Sequence, residues 1–216
     1  MMPTILSLLL VLLLSYLIGS IPFGLLIGYM NRIDIREYGS HNIGATNVRR
    51  VLGRDWGILC FLCDFLKGLL PVIFIGRQLG GDLAIGAQWG ELAAACAAVF
   101  GHIFPVYLKF KGGKGVSTTL GAILGLAFWP VLVAAIVWYL IFLWRRMVSL
   151  ASIIAAIFLP LTAAVMYFTG FGPMSLPALL LMVVLAILVI IRHRENIARI
   201  RNGTENTFVV TVKQKE

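Results

Sequence analysis

Charge is scarce in this chain: 12 % of its 216 residues are charged and 60 % are hydrophobic, far from the roughly quarter-charged balance of a soluble domain. With a mean hydropathy of +0.97, the sequence excludes an ordinary water-soluble enzyme. Cysteine is almost lacking as well. Cys60, Cys63 and Cys96 all lie in apolar segments, and an odd number so placed does not make a disulfide framework. Cys60 and Cys63 spell C-x-x-C inside an apolar run, where packing is the expected role, because a redox pair needs access to solvent. No basic residue precedes the first apolar run, which separates it from a secretory signal peptide, and its length suffices to span a bilayer. There is no internal repeat, no low-complexity segment and no separate soluble domain.

What is present is a succession of apolar runs, at 5–29, 56–76, 88–108, 116–129, 130–144, 147–168 and 177–191. The fold class they predict is all-α: a polytopic integral membrane protein, one transmembrane domain over 1–216, built as a single bundle of about seven transmembrane helices. Segment 116–144 could be one helix, but 29 residues at ~1.5 Å each would run to about 44 Å against a ~30 Å hydrocarbon core. Pro130 is expected to mark the break. The two resulting spans then reach only ~21–23 Å each, which sinks the loop before them to headgroup depth.

Charge supports this count. With seven spans, sixteen of the eighteen Lys and Arg fall on one side, in loops 31–55, 109–115, 145–146 and 192–216, leaving only Lys67 and Arg77. Merging 116–144 would split that bias between the two sides. Positive-inside asymmetry therefore predicts the N-terminus outside and the C-terminus in the cytoplasm. Trp56, Trp89, Trp129 and Trp144 stand at expected span ends, where indoles favour the interface. Gly24/Gly28 and Gly121/Gly125 match G-x-x-x-G and predict close helix packing. The tail "TFVVTVKQKE" carries a short β-like run with no assigned place.

This topology gathers three polar segments on one face: "DIREYGSHNIGATNVRRVLGRD" (34–55), "FGHIFPVYLKFKGGKG" (100–115) and "RHRENIARIRNGTEN" (192–206). Positive-inside loops need charge, but these also hold Ser40, His41, Asn42, Thr46, Asn47, His102, His193 and Asn196, groups that add hydrogen-bonding specificity. Gly112, Gly113 and Gly115 permit close approach and positive φ, so their N–H groups could form an anion nest at the mouth of the next helix, with Lys111 and Lys114 adding full charge. The stretch is not a Walker A loop, because Gly115 follows Gly113-Lys114 where Ser or Thr is required. In the first loop, Ser40, Asn42, Thr46 and Asn47 stand around two glycines and are followed by Arg49 and Arg50, a set able to converge on a phosphate or carboxylate. The three histidines lie in three segments without metal-ligand spacing, so no metal is expected. No Ser or Cys stands out as a nucleophile with an adjacent base. Asp64 and Lys67, three apart inside a span, either pair with each other or extend the polar site downward. Glu91 reads as an interface residue.

In order along the chain, "GSIPFG" (19–24), "GSHNIGATNVRRVLG" (39–53), "DFLKG" (64–68), "GHIFPVYLKFKGGKGVSTTLG" (101–121), "VSLASI" (148–153) and "RHRENIARI" (192–200) closely resemble the acyl-phosphate-dependent glycerol-3-phosphate acyltransferases of bacterial membranes. One position departs from the commonest form, in which glycine often stands at His41, so His41 is not taken as catalytic. The resemblance implies transfer of an acyl group from acyl phosphate to the 1-hydroxyl of sn-glycerol 3-phosphate, giving 1-acylglycerol 3-phosphate and phosphate, at the cytoplasmic side of the bacterial plasma (inner) membrane. It implies no cofactor, no acyl-CoA requirement and no nucleic acid. The H-x-x-x-x-D signature of the other acyltransferase class that makes this product is missing, since Thr46, Tyr107 and Ala198 stand five residues after the histidines.

By the same resemblance Ser40, Asn42, Thr46, Asn47, Arg50, Lys114 and Ser149 would cradle phosphate groups, assisted by Lys111 and the N–H groups of Gly112 and Gly113. His193 and Asn196 would orient glycerol phosphate, with His193 or a substrate phosphate oxygen as base. The rival class is a transporter or channel for a phosphate-bearing anion, for which buried Asp64 and Lys67 and glycine-broken short helices would speak. The polar residues pile up on one side rather than at the midplane, which favours an interfacial enzyme.

Overall fold

The structure, a computed structural model, describes residues 4–81 and 86–208. Apart from its first two positions, the β-like run of the tail lies outside the described residues. Every regular element among the described residues is helical. The chain begins with α1 (Thr4–Gly19) and α2 (Phe23–Met30), so the first apolar run is a broken helix. Pro22 has no N–H to continue the ladder. A short α3 (Ala45–Leu52) follows the first polar loop, then α4 (Arg54–Leu70), a π-helical turn at Pro71–Gly76 and α5 (Arg77–Gly81). These last three run on as one apolar length of 28 residues, longer than the 56–76 expected by two residues at its start and by α5 at its end, with the π turn carrying the helix through Pro71.

The chain continues with α6 (Ala87–Ile103), α7 (Val116–Leu126), α8 (Phe128–Arg145), α9 (Val148–Thr169), α10 (Leu176–Arg192) and α11 (Arg194–Arg201). Five helical lengths are apolar and long enough to cross a membrane. A sixth counts if α10 and α11, bent by 57°, are one span, and α7 is a shorter apolar helix. The break expected at Pro130 lies instead at Ala127. Pro130 sits in the first turn of α8, where its missing N–H would have no intrahelical partner anyway. At 18 residues α8 reaches ~27 Å, so the shortness expected of two spans falls on α7 alone, whose 11 residues cover ~17 Å.

Small residues let α7 sit deep. A Cβ on Gly68 of α4 would strike the Thr118 backbone of α7, and one on Gly121 would strike the Phe65 backbone of α4. Gly24 serves a different contact: its face meets the Ile43 carbonyl of the first polar loop and, less closely, the Val48 side chain of α3. Under that loop lies a separate apolar cluster of Leu25, Ile27, Ile35, Ile43, Val48 and Cys60, which seats α3 on the ends of α2 and α4. A larger core, including Val11, Val72, Val99, Ile123 and Met182, runs through the bundle. Asp64, Lys67 and His102 are buried, at 1 %, 3 % and 3 % relative exposure, beside these apolar clusters.

Candidate active site

A cavity of about 500 Å³ lies at the end of the bundle where α3, α7, α9 and α11 begin. Its polar wall contains Ser40, Asn42, Thr46, Asn47, Arg50 and Lys114. Ser149, His193 and Asn196 complete it from α9 and the α10–α11 bend. Ile58, Phe61, Leu120, Ala134, Trp138 and Ala155 supply apolar walls. Three polar segments far apart in sequence therefore meet in one place.

Helix starts account for much of the chemistry. Thr46, Ser117 and Ser149 each stand at the second position of α3, α7 and α9 and line the cavity. No side chain caps any of these three helices. Their first-turn N–H groups and the positive ends of their dipoles are thus left for an anion. Two of the three helix starts, those of α3 and α9, were not singled out in the sequence.

Lys114 reaches into the cavity and its Nζ donates to Asn196 Oδ1. Burial pushes its pKa down to about 8. Arg50 keeps an exposed side chain, and the partial desolvation of its head at the cavity wall lowers its pKa from the ordinary value as well, though a guanidinium stays charged throughout the working range. At the bend, Nδ1 of His193 lies 2.7 Å from the Val189 carbonyl oxygen. A carbonyl only accepts, so Nδ1 carries the proton and Nε2 is the basic nitrogen.

Asn47 has a different job from the one its position suggests. Its Nδ2 donates to the Ile35 and Tyr38 carbonyls at 3.1 and 3.0 Å, and its Oδ1 accepts from the Ser40 N–H at 2.7 Å and from Arg50 Nη1 at 3.3 Å. With both donors and both lone pairs in use, it shapes the first loop and holds Ser40 and Arg50 in place. Asn42 accepts the Gly44 N–H at 2.9 Å. His41 points away, bonded to the Arg36 carbonyl at 2.9 Å, and its φ of +56° explains why glycine suits that place.

The lysine–glycine loop also corrects an expectation. Lys111 is exposed and does not line the cavity, and neither Gly112 nor Gly113 lines it. Their N–H groups are already donated, to the Ile103 carbonyl at 3.2 Å and the His102 carbonyl at 3.1 Å. They cannot form the expected anion nest while those bonds stand. Arg192 holds the other side of the loop, donating to the Gly112 and Gly113 carbonyls at 2.9 and 3.2 Å. These glycines permit backbone to press against the end of α6 and so aim Lys114, and the anion-facing N–H groups pass to the start of α7.

Sequence reasoning missed Glu205. Its Oε1 accepts from Ser149 Oγ at 2.8 Å and Asn196 Nδ2 at 2.7 Å, and its Oε2 from Arg199 Nε at 2.8 Å. Burial alone would raise its pKa, but these hydrogen bonds outweigh it and hold the carboxyl below the usual value. An acid inside so basic a segment was the available signal. Phe208 closes the strap: its N–H donates to the Arg146 carbonyl at 2.8 Å and its ring lies 4.8 Å from the Arg49 guanidinium.

The apolar helices and the cationic cavity at one end of their bundle define a helical membrane protein built to handle an anion beside apolar surface. Residues 9–203 match the glycerol-3-phosphate acyltransferase family. Glycerol-3-phosphate acyltransferase of Aquifex aeolicus is 42 % identical, over 90 % of this chain and 95 % of its own length. That of Trichlorobacter lovleyi is 47 % identical, over 90 % and 94 %. A crystal structure of PlsY (YgiH), an integral membrane glycerol 3-phosphate acyltransferase in its glycerol 3-phosphate form, superposes with a TM-score of 0.83 at 41 % identity, covering 94 % of this chain and 96 % of that one. Its lysophosphatidic acid form gives 0.81 at 40 % identity, with the same coverage. This chain belongs to the glycerol-3-phosphate acyltransferase family and is a multi-pass integral membrane protein.

Proposed function

We propose that this protein moves the acyl group of an acyl phosphate to the 1-hydroxyl of sn-glycerol 3-phosphate, yielding 1-acylglycerol 3-phosphate (lysophosphatidate) and inorganic phosphate, the opening step of phospholipid synthesis. One observation carries the reading: a single cavity combines Arg50, Lys114 and three uncapped helix starts with the apolar walls of Phe61, Leu120 and Trp138. Both substrates carry phosphate, and one also carries a fatty chain. The family membership and the relatives' glycerol 3-phosphate and lysophosphatidic acid forms support the same chemistry. The site faces the cytoplasm of a bacterial inner membrane, in keeping with the lysine and arginine bias.

Transfer is direct. An acyl phosphate is a mixed anhydride, already activated, so the protein chiefly holds two anions together and stabilises the charge that grows on the carbonyl and the departing phosphate. The 1-hydroxyl oxygen bonds to the acyl carbon, the bond from that carbon to the phosphate oxygen breaks, and inorganic phosphate leaves. Ser40, Thr46, Arg50, Lys114 and Ser149 cradle the phosphates, and Asn196 and His193 orient glycerol phosphate. The hydroxyl proton passes to Nε2 of His193 or to an oxygen of the acyl phosphate. His193→Ala separates the two: a larger fall in kcat than rise in KM makes His193 the base, and the reverse makes it a binding group.

The defining assay is phosphate release by purified protein in detergent from a long-chain acyl phosphate, with and without glycerol 3-phosphate, and without metal or acyl-CoA. Release that depends on glycerol 3-phosphate and forms lysophosphatidate is expected. Release indifferent to glycerol 3-phosphate, or none from folded protein, would overturn the reading.

A further inference from the structure

Beneath the loop that carries Lys114 lies a group of ionisable side chains to which the transfer above gives no part, and of the three only His102 reaches the cavity wall. Lys67 Nζ is 2.7 Å from Asp64 Oδ1, and both side chains are 2 % exposed. The same ammonium donates to the Ile21 carbonyl at 2.7 Å, beside the break between α1 and α2, and lies 5.6 Å from the centre of the Phe23 ring. His102 turns Nδ1 toward the same carboxylate oxygen at 3.7 Å. That is longer than a hydrogen bond, and Nδ1 has no hydrogen-bond partner among the described residues. The far edge of the ring meets the loop: a Cβ built on Gly113 would land on Nε2 and Cε1 of His102. The next residue is Lys114.

Stability alone is a poor reason for this arrangement. Taking charges out of water costs free energy that their attraction only partly returns, and well-packed apolar residues of similar volume often replace a buried ion pair without loss. Position is a better reason. Gly113 is gripped three ways, by the His102 ring at Cα, by the His102 carbonyl at its N–H and by Arg192 at its oxygen. The ring's height is limited by Asp64, whose carboxylate is fixed by Lys67, which is fixed in turn by the Ile21 carbonyl.

We propose that Asp64, Lys67 and His102 form a buried footing that positions Lys114 for phosphate binding, acting through Gly113 rather than on the substrate. The proposal rests on the functional reading above, in which Lys114 binds substrate phosphate beside Asn196. Removing the ring lets the loop settle toward α6 and withdraws Nζ from the anion, while the helices keep their packing. Lysine's lost reach weakens binding more than it slows the bound step.

The test is steady-state kinetics of His102→Leu and His102→Gln in detergent, with a long-chain acyl phosphate and varied glycerol 3-phosphate, together with thermal unfolding. For His102→Leu, KM for glycerol 3-phosphate is expected to rise about tenfold, with kcat within about threefold and little change in Tm. His102→Gln, which retains a polar end of similar reach, recovers most of the loss. The effect of His102→Leu shrinks to less than about threefold in a Lys114→Arg background and keeps its size in an Arg50→Lys background, because only Lys114 shares the footing. An equal effect in both backgrounds, or a fall in Tm with KM unchanged, would overturn the footing. Should His102→Leu fail to fold, the double variant Asp64→Asn/Lys67→Met, which leaves neither charge buried without its partner, goes through the same cycle with the same expected and contrary results. Failure of the footing leaves turnover by the unaltered protein intact, whereas failure of the functional reading abolishes it.

Discussion

Arg50 and Lys114 are the two cations on the cavity wall with least freedom to be replaced. Arg50 is held by Asn47 Oδ1 at 3.3 Å, and Lys114 by Asn196. Truncating either leaves a bound phosphate without a charge-assisted partner, a loss of about 2–5 kcal/mol. Arg50→Ala and Lys114→Ala are therefore expected to lower kcat/KM by at least about 30-fold, and wild-type turnover in either would refute the assignment. Lys114 also sets a pH dependence. Burial brings its pKa down to about 8, so it is an ammonium below that pH and increasingly neutral above it. KM for glycerol 3-phosphate should hold steady up to about pH 8 and climb beyond it, with the limb in kcat displaced upward because a bound phosphate favours the charged amine. A KM flat to pH 10 would contradict this. The charges, Ser40 and the His193–Asn196 pair were legible in the sequence because each is a polar group in a polar segment of an otherwise apolar chain, whereas Ser149 came only from the family resemblance. Asn47 was legible as a site residue but not as a loop organiser, since its partners are backbone carbonyls that no residue type announces.

At the scale of elements, the close contact of α4 and α7 governs how deep α7 sits and hence where its N-terminus opens. Gly121→Leu would drive a side chain into the Phe65 backbone and force the helices apart, at a cost of about 1–3 kcal/mol. A Tm lowered by several degrees is expected, with activity falling in parallel; an unchanged Tm would show that the contact does not matter. The strap after α11 is the other element that completes the site. Glu205 draws Ser149, Asn196 and Arg199 together, so Glu205→Ala should loosen all three and lower kcat/KM. The check is glycerol 3-phosphate kinetics beside Glu205→Gln, which can still accept from Ser149 and Asn196 and should retain the larger share. Helix existence was plain from apolar runs, but helix ends were not. Pro71 is absorbed by a π turn and Pro130 by a first turn, and a proline's residue type does not say which of these outcomes the neighbouring helices will accept.

For the whole molecule, the cavity gathers the starts of α3, α7, α9 and α11 at one end of the bundle, while Gln88 and Ser175, bonded at 2.5 Å, join the starts of α6 and α10. The proposed orientation puts loops 31–55, 109–115 and 192–216 in the cytoplasm, so cysteine placed at exposed Lys111 is expected to react with a membrane-impermeant thiol reagent only in inverted vesicles. Cysteine at Phe171, also exposed, should react only in right-side-out ones. Labelling of both from the same side would refute the seven-span topology. The sequence by itself determined that the chain lives in a bilayer, that it is helical, and that its polar chemistry lies on three segments, because hydropathy and charge are sums over residues that need no knowledge of neighbours. Only the tertiary structure decided that Gly112 and Gly113 press on α6 instead of binding the anion. It also decided that α3 and α9 join α7 in offering uncapped helix starts, and that Asp64, Lys67 and His102 stand together under Lys114. Those facts depend on which backbone group meets which side chain across distant parts of the chain, and that is settled by packing rather than by residue type.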